Sequence, residues 1–450
     1  MRSFIDGTYY RDLIMGVNNK VQLIDETLVT GINFDNAATT PPLKCVVEDI
    51  IKFCPWYSSI HRGEGYKSQV STSLYEESRK IVGRFVGYDE ENMEVIYVKN
   101  CTEAINKLAN ILCCGKRSDH VVLSTSMEHH SNDLPWRYNY TVDYVEVDDI
   151  GRIDLVSLKD KLKVHEGKVI LVAVTGASNV TGHKNPIYDI AKLAHKYGAK
   201  ILVDGAQLVP HSPFDMKPFY NDDHIDFLAF SGHKMYAPFG TGVLIGSREI
   251  FNQCSPDHVG GGTISFVSHD VVNWANSPDR HEAGSPNVIG SIALSSAIEK
   301  LKEIGMGNID KYERALAKYA TENLIRIPDV TLYGDYLNIK DKVGIIPFNI
   351  EGIHHTTLAK ILSYEFGIAV RSGCFCAQPY MQKLLHATPE MIKENMTAPK
   401  ENMPGTVRIS FAIYNTFGEV DKFLSVIYKI VMNKKYYLTK YSCINYKLVK

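Results

Sequence analysis

From about residue 90 to residue 245 the chain alternates two hydrophobic rhythms. Short runs such as "EVIYVK", "HVVLST", "DYVEV", "VILVAVT", "AKILVD", "DFLAFS" and "GVLIGS" are apolar at nearly every position. Strands buried on both faces read this way, because neither face can carry polar groups. Between them lie segments such as "TEAINKLANIL" and "IYDIAKLAHKYG", with apolar residues every three or four positions, the second closing at Gly198, a residue suited to a left-handed cap. Strand and helix in alternation predict an α/β fold, a mostly parallel seven-stranded sheet with helices on both faces. Ligands of such a sheet bind beyond the carboxyl ends of its strands.

Past about residue 290 the rhythm changes, with helical "GSIALSSAIEKLKEIG" and "TTLAKILSYEFG" and strand-like "GIIPFNI", "GIAVRS" and "VRISFAIY". This predicts a large domain over 33–290 and a smaller α/β domain from 1–32 and 291–432. The stretch 387–405 reads as a polar surface excursion, and 433–450 as a basic, Tyr-rich extension that is solvated or loosely docked. Apolar residues make up 45% of the 450, enough for a large core. A net charge of -2 gives no sign of a nucleic-acid or membrane partner. No apolar run approaches membrane-spanning length, and Asp6, Arg11 and Asp12 interrupt the place where a signal peptide is apolar, so a cytosolic protein is expected. Nine scattered cysteines, an odd number, predict reduced thiols rather than a disulfide framework.

Chemistry gathers at the strand ends. In "AFSGHKMYAPFGTG" a buried run ends at Ser231, followed by His233 and Lys234. Alone, such a lysine is a loop residue reaching solvent; desolvated at a strand end, it can form a Schiff base. Asp204 in "ILVDGAQLVPH" ends the preceding strand and would open on the same edge. A lone strand-end Asp is an N-cap or ion-pair partner, but beside Lys234 it has a second meaning. Pyridoxal 5'-phosphate takes a lysine on its aldehyde and a carboxylate on its pyridinium nitrogen. Gln207 can reach the same edge. Thr102, in "CTEAIN", opens a helix whose free N–H groups would hold a phosphate, with Ser231 and His233 adding donors. His129 of "MEHHSN" and Asn179 of "GASNVTG" follow two further strands and complete the convergence.

The loop "VRSGCFCAQPY" carries Cys374 and Cys376. A Cys-x-Cys metal site needs two more ligands, and no second pair has metal spacing. A disulfide between residues two apart is strained. A buried structural pair and a reactive thiol remain, and the glycine-started loop beside Arg371 suits a thiolate.

The ordered motifs "FDNAATT", "HRGEGYKSQ", "CTEAIN", "MEHHSNDLPW", "SNVTG", "DGAQLVPH", "SGHKMYAPFGTG", "GGGTI", "HEAGSPN", "RSGCFCAQP" and "VRISFAIYNT" resemble the aminotransferase class V, or NifS-like, family. Within it the chain is similar to the group II, Suf-type cysteine desulfurases and selenocysteine lyases. The resemblance covers most of the chain and implies the pyridoxal phosphate-dependent fold type I. It implies that Lys234 bonds the cofactor aldehyde, that Asp204 faces the pyridinium, and that Gln207 and Asn179 hold the ring oxygen. It places His129 over the ring and Cys101, Thr102, Ser231 and His233 around the cofactor phosphate. Ser285 is implied to reach the phosphate of the other subunit of a homodimer. Arg408, with Asn179 and His61, stands on the substrate side, Arg408 binding the carboxylate of L-cysteine. Cys376 matches the nucleophile that takes the sulfur as a persulfide for an acceptor protein, leaving alanine. No metal is implied. The chain departs from the Suf-type loop at Cys374 and Phe375, where two histidines commonly stand, at Gly176, and in a longer stretch between Cys376 and Arg408. The competing reading is another class V enzyme, an aminotransferase, epimerase or C–S lyase, in which Cys376 is not catalytic. A cofactor-binding regulator would carry a DNA-binding domain, for which the residues before Asn33 give no room.

Overall fold

The computed structural model describes residues 7–114, 119–397 and 403–442. Its central sheet holds seven strands: β1 Met93–Val98, β2 Val121–Thr125, β3 Thr141–Val145, β4 Val169–Thr175, β5 Lys200–Asp204, β6 Phe227–Ser231 and β7 Gly242–Ser247. These are the seven runs expected from the sequence. Their order across the sheet is β1-β7-β6-β5-β4-β2-β3, and β7 alone runs against its neighbours. It follows β6 through residues 232–241, too short a connection for a parallel crossover, which takes about a dozen residues or more.

Period-two alternation sends neighbouring side chains to opposite layers. Leu171, Ala173, Leu202, Phe227, Ala229 and Leu244 pack with Ala104, Ile105 and Leu108 of helix α1, Cys101–Leu112. Val172, Val174, Ile201, Val203, Leu228, Phe230 and Val243 pack into the other layer. Each Val, Leu, Ile or Phe among them stabilises the fold by about 1.5–3 kcal/mol on full burial. The close seat of α1 on β7 requires glycine: a Cβ on Gly242 would collide with the backbone of Asn100, just before the helix.

A second sheet joins β8 Val330–Leu332, β9 Ile345–Ile350, β10 Arg371–Gly373 and β11 Thr406–Ser410, in antiparallel order β8-β9-β11-β10. Arg371 stands directly opposite Arg408 across β10 and β11. Like charges so placed repel. Asp35 lies between them, its Oδ1 3.4 Å from Arg408 Nη2 and its Oδ2 3.6 Å from Arg371 Nη1.

Four features differ from expectation. The structure pairs Cys114 with Cys254 as a disulfide across 140 residues, with Cα atoms 5.3 Å apart, inside the range a disulfide spans. The end of α1 packs near helix Arg248–Gln253, a proximity that no local spacing records. Cys45, Cys54, Cys101, Cys113, Cys374 and Cys376 are free thiols. The extension is docked rather than loose over Lys434–Ser442, a helix with Tyr437 buried and Lys440 Nζ 2.6 Å from Glu365 Oε1; residues 443–450 lie outside the described residues. The 387–405 excursion contains a helix, Pro389–Asn395, started by Thr388, with 398–402 outside the described residues. An exposed hairpin, Ile264–Val267 with Val272–Trp274, had no signal in the sequence strong enough to mark it. Among the described residues no helix is long and apolar enough to cross a membrane.

Candidate active site

The carboxyl ends of β2, β4, β5 and β6 share one edge because these strands are parallel. The small sheet closes over that edge, and between them is a cavity of about 270 Å³. Its floor is Asp204 and Gln207 beyond β5, Ser231, His233 and Lys234 beyond β6, and Cys101 and Thr102 at the start of α1. Its roof is Arg371, Phe375, Cys376 and Arg408. His129 and Asn179, from the ends of β2 and β4, close the sides.

Lys234 sits on a tight turn, Gly232–Lys234, tied down where the His233 carbonyl accepts from Thr40 N–H at 3.0 Å and Thr39 Oγ1 at 2.9 Å. Burial depresses its pKa below the usual lysine value, outweighing the opposing pull of Asp204 and Cys101, and Arg408 adds to the depression. Asp204 Oδ1 accepts from Ala206 N–H at 2.9 Å and from the Cys101 thiol at 3.4 Å. The start of α1 is capped by Asn100, whose Oδ1 accepts from Glu103 N–H at 3.0 Å, while Cys101 N–H donates to Ser231 Oγ at 2.8 Å. With the dipole of α1 behind them, these groups form a seat for an anion.

The tautomer of His129 follows from its partners. Ser131 N–H can only donate, and it donates to His129 Nδ1 at 3.1 Å, so the ring proton is on Nε2. Ser131 Oγ links the same Nδ1, at 2.8 Å, to Thr102 Oγ1, at 2.7 Å. Burial, then the Lys234 charge, lowers the His129 pKa to about 4, which keeps the ring neutral near neutral pH. Burial and Lys234 likewise lower His233 to about 4.

Arg408 is 3% exposed, with Nη1 donating to the Asn179 carbonyl at 2.7 Å and its guanidinium 4.7 Å from the centre of the Phe375 ring. Burial lowers its pKa to about 10, with Asp35 opposing. Asn179 donates its amide to the Phe375 carbonyl at 2.7 Å, and Gln207 donates to the Ala37 carbonyl at 2.7 Å. Two buried atoms in this cavity, Arg408 Nε and Gln207 Oε1, find no hydrogen-bond partner among the described residues. Leaving such atoms unpaired costs about 1–3 kcal/mol each or more. A buried lysine, a carboxylate across from it, a helix start for phosphate and a buried arginine fit a pyridoxal phosphate with an amino acid.

Two expected site residues lie elsewhere in the single chain. His61 is engaged by Glu76, Nε2 to Oε1 at 2.9 Å, and does not line the cavity. Ser285 lines a separate cleft of about 490 Å³ with Lys99 and Asn287. Sequence reasoning in turn passed over Asp35, Glu128, His130 and the ring of Phe375. Only the doublet in "EHHSN" could have marked His130, and a doublet alone does not say which histidine faces a ligand. The one described group with metal-like proximity, His195, His224 and Asp226, is engaged internally: Asp226 takes His195 Nε2 at 2.8 Å, Ile201 N–H at 3.0 Å and Lys200 at 3.2 Å.

The family model for Aminotransferase class-V matches residues 32–423. The chain belongs to the aminotransferase class V family. Among class V relatives, a cysteine desulfurase of Haloferax volcanii is 34% identical over 411 residues, 90% of each chain. A probable cysteine desulfurase of Pyrococcus abyssi is 36% identical, covering 89% of this chain and 94% of its own. A solved cysteine desulfurase of Thermococcus onnurineus, 37% identical, superposes with a TM-score of 0.79 over 89% of this chain and 95% of its own. The class V fold here is therefore fold type I, with the mostly parallel sheet as its large layer.

Glu128, which anchors this class V histidine segment, accepts from Thr125 Oγ1 and Asn132 Nδ2, both at 2.7 Å. Burial outweighs these bonds and pushes its carboxyl up to about 8. A carboxyl raised in the fold stabilises below its unfolded pKa, about 4.3, and that stability is lost as pH rises toward the folded value. Glu128→Gln removes the ionisation. In thermal denaturation its melting temperature, relative to wild type, should rise from about pH 5 to about pH 8 and level above that. A constant offset across pH would show that Glu128 titrates as an ordinary carboxyl.

Proposed function

We propose that the protein is a pyridoxal phosphate-dependent cysteine desulfurase that converts L-cysteine to L-alanine and takes the sulfur onto Cys376. The observation that carries this reading is Cys376 itself, an exposed free thiol on the roof of the cavity whose floor holds Lys234. A transaminase needs no thiol there, and an epimerase would use one as an acid or base rather than as a sulfur acceptor.

When bound, the cofactor supplies an electron sink for the carbanion formed at the substrate Cα. Lys234 would hold it at the aldehyde, Asp204 at the pyridinium nitrogen, and Thr102, Cys101, Ser231 and His233 at the phosphate. Arg408 offers its planar fork to the substrate carboxylate, already aimed by Asn179, Asp35 and the Phe375 ring. With its amine free, Lys234 would take the Cα proton as general base; its depressed pKa leaves it able to do so nearer neutral pH than an exposed lysine. The Cys376 thiolate then attacks the substrate sulfur. The substrate C–S bond breaks, an S–S bond forms on Cys376, and alanine is completed by one proton on Cβ and the return of a proton from Lys234 to Cα. His129 Nε2–H is the donor nearest this exchange in kind, a neutral imidazole with one proton to give.

Exposure of Cys376 suits release of its sulfur to an acceptor protein, the supply step of iron–sulfur cluster assembly. The reading includes a homodimer, in which a second copy would bring its own Ser285 and His61 segments to this cavity. Support comes from the displacement of both residues from the single-chain site and from the hairpin that leaves Phe266, Val267, Val271 and Val272 exposed. The test is incubation with L-cysteine, with a reductant to quantify alanine, pyruvate and sulfide, and in a parallel sample without one to weigh the Cys376 peptide. Equal alanine and sulfide, with a peptide heavier by one sulfur, is the expected result. Pyruvate in place of alanine would make the protein a C–S lyase.

A further inference from the structure

We propose that His130 is the positioning residue that holds the Cys376 loop over the cavity, using its main chain and its ring together. The inference rests on the reading of Cys376 as the sulfur nucleophile.

The loop is an unfavourable one to hold. Phe375 and Cys376 both adopt positive φ, +54° and +56°, a region that residues with a Cβ occupy sparingly and keep only where the surroundings fix them. Within the loop a single turn bond, Ala377 N–H to the Cys374 carbonyl at 3.0 Å, spans these two residues. The other main-chain restraints come from residues beside the large sheet. His130 N–H donates to the carbonyl of Cys376 at 2.7 Å. His130 Nε2 accepts from Gln378 N–H at 3.2 Å. Asn179 takes the carbonyl of Phe375 at 2.7 Å. His130 thus grips the chain at the nucleophile and two residues beyond it, and Asn179 grips it one residue before.

The ring bond fixes the chemistry required of His130. A backbone N–H only donates, so Nε2 must present a lone pair, which a neutral imidazole with its proton on Nδ1 provides. Burial lowers the His130 pKa and Arg137 assists, against Asp133. His129, the adjacent residue, lines the cavity while His130 does not. The doublet therefore divides the work: the first ring meets the ligand and the second aims the thiol. Displacement of a reacting atom by about 1 Å can cost on the order of 100-fold in rate, so a residue that never touches substrate can govern the sulfur step.

The test compares His130→Phe, which keeps the main-chain bond and a ring but loses the acceptor, with His130→Gln, which restores an acceptor oxygen at similar reach. Three readouts are taken on cofactor-loaded protein: the spectral change on adding L-cysteine, the rate of alanine formation, and the rate at which iodoacetamide alkylates Cys376, followed by mass spectrometry. Expected for His130→Phe is an unchanged spectral response and KM within about twofold. Its kcat should fall by about 10–100-fold and its Cys376 alkylation rate should change several-fold, with His130→Gln returning both most of the way. Unchanged kcat and alkylation in His130→Phe would overturn the proposal, as would a loss that His130→Gln shares in full. Should the phenylalanine variant not fold, His130→Ala takes its place with the same expected and overturning results. The alkylation readout needs no turnover. A wild type that forms no alanine, yet whose alkylation rate responds to His130, would refute the desulfurase reading and leave the brace standing.

Discussion

Lys234→Ala should reduce turnover of L-cysteine by about 10⁴-fold or more, the upper end of what a positioned general base contributes, with the covalent attachment of the cofactor lost in addition. Three facts place Lys234 at that level. Its turn is fixed to the segment before β1 through Thr39 and Thr40, so the amine has little freedom to be elsewhere. Asp204 and Cys101 tend to raise its pKa, yet burial prevails and the net direction is down. An amine so lowered loses its proton nearer neutral pH than a solvent lysine, and both nucleophilic attack and proton abstraction need the unprotonated form. Lys234→Arg separates charge from chemistry. It keeps the cation but cannot bond the aldehyde, and it should be as inactive as the alanine variant. The measurement is the cofactor absorbance before and after gel filtration, together with alanine formation. Absorbance retained in Lys234→Ala at the wild-type wavelength, with measurable turnover, would remove Lys234 from the centre of the site.

The legible part of this protein was the part written in local pattern. Strands buried on both faces announce themselves as continuous apolar runs, so β1 to β7 could be marked within a residue or two and their carboxyl ends inspected for chemistry. Lys234, Asp204, Gln207, Thr102, Asn179 and His129 were found because each follows such a run, and the structure brings all six to one cavity. Contacts fixed by the tertiary fold left no such trace. The pairing of Cys114 with Cys254 depends on two helix ends meeting across the fold. Asp35 is an ordinary acidic residue until β10 and β11 set Arg371 opposite Arg408 and a carboxylate is needed between them. Phe375 reads as a lost histidine in sequence; in space its ring faces the Arg408 guanidinium and its carbonyl engages Asn179. The loop has thereby exchanged titratable groups for an apolar wall, and a cation over such a wall gains about 0.5–2 kcal/mol. On the proposed function, that exchange would favour orientation of the substrate carboxylate over additional proton transfer at this edge.

Cys376→Ser should lower alanine formation by about 10³-fold or more while leaving cofactor binding and the spectral response to L-cysteine unchanged. Serine preserves the volume and hydrogen-bonding reach of the side chain, so the positive-φ loop and its bonds to His130 and Asn179 are retained. What it removes is a polarizable sulfur able to attack another sulfur and hold it, which an alkoxide formed only at very high pH does not replace. In the proposed reaction the earlier steps do not involve this atom: carboxylate capture would belong to Arg408, and Cα deprotonation to Lys234. The variant should therefore bind L-cysteine, form the same early spectral species as wild type, and stop. A residual rate near wild type would mean that the sulfur leaves without an acceptor on the chain. Sulfide would then appear directly, Cys376 would be a bystander at the mouth of the cavity, and the second thiol at Cys374, which packs against the core beside the loop rather than lining the cavity, would be no candidate to replace it.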